Sequence, residues 1–156
     1  MSYEVEEVIE EIEFPWLIFK LKSNLYTINS KMITSIVIKP EEITIVPNVS
    51  NFLTGLIHLR GNVVPLIDLK LLFKVEKLSD EVSEDKKEMV IVLEKDNSFV
   101  GLVVDEVLSV ENIIAFEDTD EIRKMVKDGF VKGVAKGSKT DDVLLIIDEE
   151  KIMNIA

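Results

Sequence analysis

The apolar residues of this chain come in short runs, none longer than about eight residues, with turn-forming residues between them. That spacing restricts the fold to short strands joined by hairpins. Small barrels are the natural outcome, because closure removes exposed strand edges. A membrane-spanning helix needs roughly 20 apolar residues, so none is expected. After Pro15, Leu17, Phe19 and Leu21 alternate with Trp16, Ile18, Lys20 and Lys22; Ser23-Asn24 gives a turn and Leu25 to Asn29 runs back. Lys31 to Ile38 is apolar and β-branched, and fits helix or strand. Pro40 and Pro47 bound a connecting stretch, and Phe52 to Leu59 reads as a strand. Gly61-Asn62 then makes a turn and Val63 to Ile67 the return strand of a second hairpin. Asp68 is placed to cap a short helix over Leu69 to Phe73, where its carboxylate accepts a first-turn N–H.

Residues 74–88 differ in kind: ten of the fifteen are charged. They read as a linker, or as an exposed loop between two halves of one domain. Beyond them, Met89 to Leu93 has the pattern of a strand buried on both faces, Asp96-Asn97-Ser98 is a turn, and Phe99 to Val104 is the partner strand. Val107 to Ile114 continues in β-like composition, and Asp118 to Lys127 is polar and helical in character. Phe130 to Ala135 and Val143 to Ile147 form a further hairpin, and Glu149 to Ile155 a closing helix. The halves echo each other. Phe52-Leu53-Thr54-Gly55 matches Phe130-Val131-Lys132-Gly133, and Pro65-Leu66-Ile67-Asp68 matches Leu145-Ile146-Ile147-Asp148, both at a spacing of about 80 residues. The reading is one subdomain over about 15–73 and another over about 89–156, packed together because each alone has a marginal core. A groove between them is a natural protein-docking surface.

Composition narrows the function. The net charge is −12, and the two arginines are Arg60 and Arg123. A nucleic-acid binder needs a positive footprint, so nucleic acid is not expected as a partner, and neither is insertion into a membrane. The absence of cysteine removes disulfides, thiol nucleophiles and zinc–thiolate sites, and mildly favours a reducing compartment. Residues 1–13 hold six glutamates and no basic residue, so they lack the features of a signal peptide. They read as an acidic tail over 1–14. Val5, Val8, Ile9 and Ile12 also fit a short partner-docked amphipathic helix.

No residue set announces catalysis. His58 is the sole histidine and has neither a nucleophile elbow nor a cysteine to serve, so it reads as structural. Asp68 and Asp105 each end an apolar strand, where aspartate commonly caps or turns the chain. Asp118-Thr119-Asp120-Glu121 starts like a calcium loop and fails at Ile122 and Arg123; Asp80 to Asp85 has no glycine; both read as solvated charge. No catalytic, metal or cofactor site is expected. Arg60-Gly61 is more telling: a scarce arginine sits beside a glycine that permits positive φ, on a hairpin tip that projects its planar fork at a fixed place. It reads as an interface anchor, against the alternative of a solvated charge. Gly55, Gly61 and Gly101 are expected to act through the backbone.

Gly55-Leu56-Ile57-His58-Leu59-Arg60-Gly61-Asn62-Val63-Val64-Pro65-Leu66-Ile67-Asp68-Leu69-Lys70 closely resembles the signature G-[VI]-x-x-L-R-G-x-x-[VI]-P-[VI]-x-D-L-R of the CheW-like family. Gly101 to Val110, with Asp105 and Val107, resembles the family's second motif, and Gly133 with Val143 to Ile147 its closing hairpin. The resemblance covers residues 16–155. It implies a mainly β fold, two SH3-like five-stranded barrels around a shared core. It implies a non-enzymatic chemotaxis adaptor, free-standing and cytoplasmic, recruited to receptor arrays at the inner face of the membrane. Its partners would be the cytoplasmic tips of chemoreceptors and the regulatory domain of the histidine kinase CheA. The implied receptor surface lies near Ile33, Ser35, Arg60, Val107 and Val110, and the motif's structural residues fall on Gly55, Gly61, Pro65, Asp68, Gly101, Asp105 and Gly133. Three positions depart from the pattern: Ser35 stands where glutamate is common, His58 where asparagine is, and Lys70 where arginine is. The rival readings are a binding module of another signalling system, an oligonucleotide-binding barrel, which the charge opposes, and a small hydrolase.

Overall fold

The computed structural model describes residues 8–75, 87–116, 129–139 and 142–155. These residues form strands β1 (Val8–Leu21), β2 (Asn24–Asn29), β3 (Ile33–Ile38), β4 (Leu53–Leu59), β5 (Asn62–Asp68), β6 (Met89–Lys95), β7 (Ser98–Val104), β8 (Glu106–Phe116), β9 (Val131–Gly137) and β10 (Val143–Ile147). A 3-10 turn at Ser30–Met32 joins β2 to β3; helices α1 (Leu69–Leu72) and α2 (Glu149–Ile155) follow β5 and β10. Tight turns set the hairpins. Arg60 (φ 51°) and Gly61 (φ 84°) link β4 to β5, and Asp96 (φ 50°) and Asn97 (φ 65°) link β6 to β7. Two left-handed residues in succession match the right-handed twist of the flanking strands.

The strands assemble into two five-stranded sheets. One is a closed barrel in the order β1-β2-β10-β9-β8; the other runs β3-β6-β7-β5-β4. Each is antiparallel except for one parallel pair, β2 with β10 in the first and β5 with β7 in the second. The architecture corrects the division at 74–88. Each half of the chain gives its first two strands to one sheet and its last three to the other, so neither 15–73 nor 89–156 is a subdomain. The internal echo is real in space but exchanged: β1, β2, β8, β9 and β10 of the first barrel correspond to β6, β7, β3, β4 and β5 of the second. The local hydrogen bonds repeat as well. Asp68 N–H donates to Phe52 O at 2.8 Å, and Asp148 N–H donates to Phe130 O at 2.7 Å.

This exchange produces three cores. Trp16, Ile18, Ile113, Ala135, Leu144 and Ile146 fill the first barrel. Ile57, Val64, Leu66, Val90, Val92 and Val103 fill the second. Between them lies the largest cluster, with Leu17, Phe19, Leu21, Tyr26, Ile28, Ile91, Leu93, Leu102 and Val104 among its members. Because side chains alternate across a strand, β1 sends Trp16 and Ile18 into its own barrel and Leu17, Phe19 and Leu21 into the shared core. Its counterpart β6 does the same with Val90 and Val92 against Ile91 and Leu93. An aromatic row crosses the shared core, with ring centres 5.7 Å apart for Phe19–Tyr26, 5.4 Å for Tyr26–Phe73 and 6.3 Å for Phe73–Phe130.

Two further expectations change. Residues 8–14 are strand rather than acidic tail or helix: β1 starts at Val8 and pairs with β8 as far as Val8–Phe116. Val8, Ile9 and Ile12 fit a helical period, but the long β8 offers a backbone edge to pair with. The ambiguous stretch from Lys31 resolves as the 3-10 turn followed by β3. The readings for 1–7, for Asp80 to Asp85 and for Asp118 to Lys127 fall outside the described residues.

Candidate docking surface

Strands β3 and β8 are equivalent by the internal symmetry, and both follow a crossover from one sheet to the other. Both start at the seam: Ile33 and Val107 are partly buried against the shared core. Further along, both turn apolar side chains outward. Ile36 is 40% and Ile38 56% exposed on β3, and Leu108 is 45% and Val110 56% exposed on β8. Ser35 is half-buried on β3, across from Val92. Each strand thus carries a pair of exposed apolar side chains two residues apart, and contiguous apolar surface of this kind marks contact sites.

Arg60 is exposed at the β4–β5 tip, with its own backbone in the left-handed region. A residue with a Cβ pays roughly 1 kcal/mol or more for that conformation, so the tip is held by the hairpin rather than by local preference. His58 is also exposed, across from Val63. The tip does not adjoin Val110. Because β5 runs parallel to β7, with Leu66 beside Gly101, Arg60 lies towards the start of β7. There a shallow pocket is lined by Asn62, Val63, Pro65, Phe99, Val100 and Met153. β8 departs from the other end of β7, beyond Val104. The expectation of one patch combining Arg60 and Val110 therefore gives way to two surfaces at opposite ends of that strand.

The motif glycines divide by cause. Gly61 has open space around it and is needed for its φ of 84°. Gly55 is buried where the segment before β4 crosses it; a Cβ would overlap Ile43 and sit 2.6 Å from Thr44 O. At Gly101 a Cβ would meet Leu66 at 2.7 Å and Val90 at 2.8 Å. Gly133 has ordinary clearance, 3.5 Å from Ile146, so among the described residues neither space nor conformation demands glycine there.

Asp68 caps α1, its Oδ1 accepting from Lys70 N–H at 2.9 Å. Burial pushes its carboxyl up, with the Lys70 charge opposing and the Glu88 charge adding to the rise. Asp105 is the residue between β7 and β8. Its Oδ1 accepts from Lys70 Nζ at 2.7 Å and its Oδ2 from Lys22 N–H at 2.7 Å. Burial alone would raise this carboxyl, and the hydrogen bonds from Lys70 and Lys22 carry it below its ordinary value instead. Lys70 Nζ also pairs with Glu88 at 3.0 Å. Burial disfavours its charge, yet the hydrogen bonds to Asp105 and Glu88 raise it overall. The lysine ammonium thus touches two separate carboxylates at once. Sequence reasoning singled out Lys70 and Asp105 separately; nothing in a linear pattern joins positions 35 residues apart. Among the described residues no group of histidines and carboxylates is arranged to hold a metal ion, and no helix is long and apolar enough to cross a membrane.

The chain matches the family model described as CheW-like domain over residues 15–156. It is 29% identical to the chemotaxis protein CheW of Klebsiella aerogenes over 147 residues, 93% of this chain and 84% of that one. Identity with the chemotaxis protein CheW of Thermotoga maritima is 33% over 118 residues, 75% of this chain and 73% of that one. The crystal structure of the scaffolding protein TtCheW from Thermoanaerobacter tengcongensis matches with a TM-score of 0.67 at 30% identity, covering 88% of this chain and 90% of that one.

Proposed function

The chain belongs to the CheW-like family of chemotaxis scaffolds, built as two SH3-like barrels, and from that premise we propose that it couples chemoreceptor cytoplasmic tips to the histidine kinase CheA. It acts by contact and not by catalysis, in the cytoplasm, recruited to receptor arrays at the inner face of the membrane. The observation that carries the reading is the outward apolar set on the symmetry-related strands β3 and β8, which begins at the seam between the barrels. A packed apolar centre with a charged rim is the usual anatomy of a protein interface. In this reading Val110 supplies exposed apolar surface, Ile33 and Val107 the floor at the seam, and Ser35 a neutral flank. Arg60, on its hairpin tip at the other end of β7, meets a carboxylate of the receptor at a second, separate contact.

The test is a titration of a receptor-tip fragment against variants at low and high salt, with circular dichroism reporting the fold. Val110→Asp should keep the fold, because the side chain is more than half exposed, and should abolish binding more completely than Arg60→Ala. Arg60→Glu should weaken binding with the thermal midpoint nearly unchanged, and that loss should shrink as salt screens the contact. Wild-type affinity in folded Val110→Asp would remove β8 from the interface; wild-type affinity in Arg60→Glu would remove the tip.

A further inference from the structure

The chain passes between the two sheets at two equivalent crossovers, and they are built differently. From β2 to β3 the crossover is local: Asn29 Oδ1 accepts from Lys31 N–H, two residues on, at 2.8 Å, and caps the 3-10 turn. From β7 to β8 the crossover is Asp105 itself, and its contacts are long-range. Its N–H donates to Lys20 O on β1 at 3.1 Å, and its Oδ2 accepts from Lys22 N–H in the β1–β2 turn. Both anchors belong to the first barrel. Its Oδ1 accepts from Lys70 on α1, which continues β5 of the second barrel. Lys70 is braced there by Glu88, just before β6, and Glu88 by Lys39, just after β3, at 3.2 Å.

A carboxylate oriented by one barrel's backbone thus grips an ammonium oriented by the other barrel's side chains. These four side chains are between 20% and 29% exposed, so water screens them less than it does an open surface pair. The shared apolar core resists separation of the barrels, but the hydrophobic effect is non-directional and sets no angle. A charged hydrogen bond 2.7 Å long is directional and fixes one.

We propose that the Lys70–Asp105 ion pair is the pin that sets the angle between the two barrels, and hence the shape of the seam at which a partner docks. The first half stands on the geometry alone; the second rests on the docking reading above. Lys70 and Asp105 are positioning residues, acting on affinity through Ile33 and Val107 at the seam.

The chain has no cysteine, so Ser98→Cys at the start of β7 and Ser138→Cys just after β9 give two unique labelling sites, both exposed, one on each sheet. Pulsed electron spin resonance between labels there measures the inter-barrel distance without any partner. Lys70→Met and Asp105→Asn should each broaden the distance distribution while circular dichroism stays native, and should weaken receptor-fragment binding by about tenfold, roughly 1.4 kcal/mol. Lys70→Arg, which keeps the charge, should retain the narrow distribution and the affinity. A wild-type distribution in folded Lys70→Met overturns the pin. If that variant does not fold, Asp105→Asn, whose amide oxygen still accepts from Lys22, carries the same comparison. A broadened distribution with unchanged affinity overturns the link to the seam. If even the wild-type chain does not bind the fragment, the docking reading fails, and the distances still decide the pin.

Discussion

The two barrels share one recipe and differ in closure. Each has a strand from each of five equivalent positions, and each has a core of six buried residues among those described. Strand length separates them. In the first barrel β8 runs eleven residues, and its far end pairs with β9 at Ile113–Gly137, Ile114–Lys136 and Ala115–Ala135. Its counterpart β3 has six residues and stops before Lys39-Pro40, where proline withdraws a backbone donor. The place of a β3–β4 ladder is taken by the segment leading to β4, which reaches it at one bridge, Thr44 with Leu56. Ile38 and Ile45 stand exposed at this opening, Ile45 by 80%. Symmetric assembly thus leaves one barrel sealed and the other with free edge and apolar surface, the raw material of an interface.

The largest expected effect tests whether the two barrels are one cooperative unit in spite of this difference. Phe19→Ala in the shared core should cost about 3–5 kcal/mol and Leu66→Ala in the second barrel about 2–5 kcal/mol. Trp16, the only tryptophan, reports from inside the first barrel. In denaturant titrations of Leu66→Ala, Trp16 fluorescence and far-UV circular dichroism should shift to the same lower midpoint. A Trp16 midpoint left at the wild-type value would mean that the barrels unfold independently.

A smaller effect sharpens the comparison at one pair of equivalent residues. Gly55 and Gly133 align in the repeat, but the segment that patches the open barrel presses on Gly55, and among the described residues only Ile146 comes near Gly133, at 3.5 Å. Gly55→Ala should be destabilising by about 1–3 kcal/mol through overpacking. Gly133→Ala should stay within about 0.5 kcal/mol of wild type. Equal costs in thermal melts would contradict the assignment of the Thr44 bridge as the patch.

These pairs also show what a sequence carries. Arg60-Gly61, Asp96-Asn97 and the Asp68 cap were legible because each depends on neighbours two or three residues away. The repeat was legible because it is linear. The exchange of strands was not, since the order of elements is the same whether a repeat folds on itself or on its twin. The strand at 8–14 and the Lys70–Asp105 pair were hidden for the same reason: each is settled by a partner far along the chain. The exposure of Val110 was legible as an expectation from family resemblance, while its separation from the Arg60 tip followed from the parallel β5–β7 pairing.

The smallest effect is on pH dependence. The Asp105 carboxyl is held below its ordinary value of 3.8, so its stabilising contribution is complete above 3.8 and is lost as pH falls through the lowered value. Lys70 is held above 10.5, so its contribution is complete below 10.5 and is lost as pH rises through the raised value. Asp68 runs the other way from Asp105. Its raised carboxyl takes up a proton more readily in the folded state, so stability gained as pH falls towards 3.8 offsets part of the acid loss. Thermal midpoints of Lys70→Met against pH should be flatter than wild type at both extremes. Parallel curves would show that the pair contributes nothing to stability.

The most direct test of the account is bridging. A receptor-tip fragment immobilised on beads is mixed with the CheA regulatory domain, with and without this chain, and the retained kinase domain is measured. The kinase domain should be retained with the chain present, and substituting Val110→Asp for the wild type should sharply lower the amount. Retention of the kinase domain at the same level with and without the chain would contradict the bridging role.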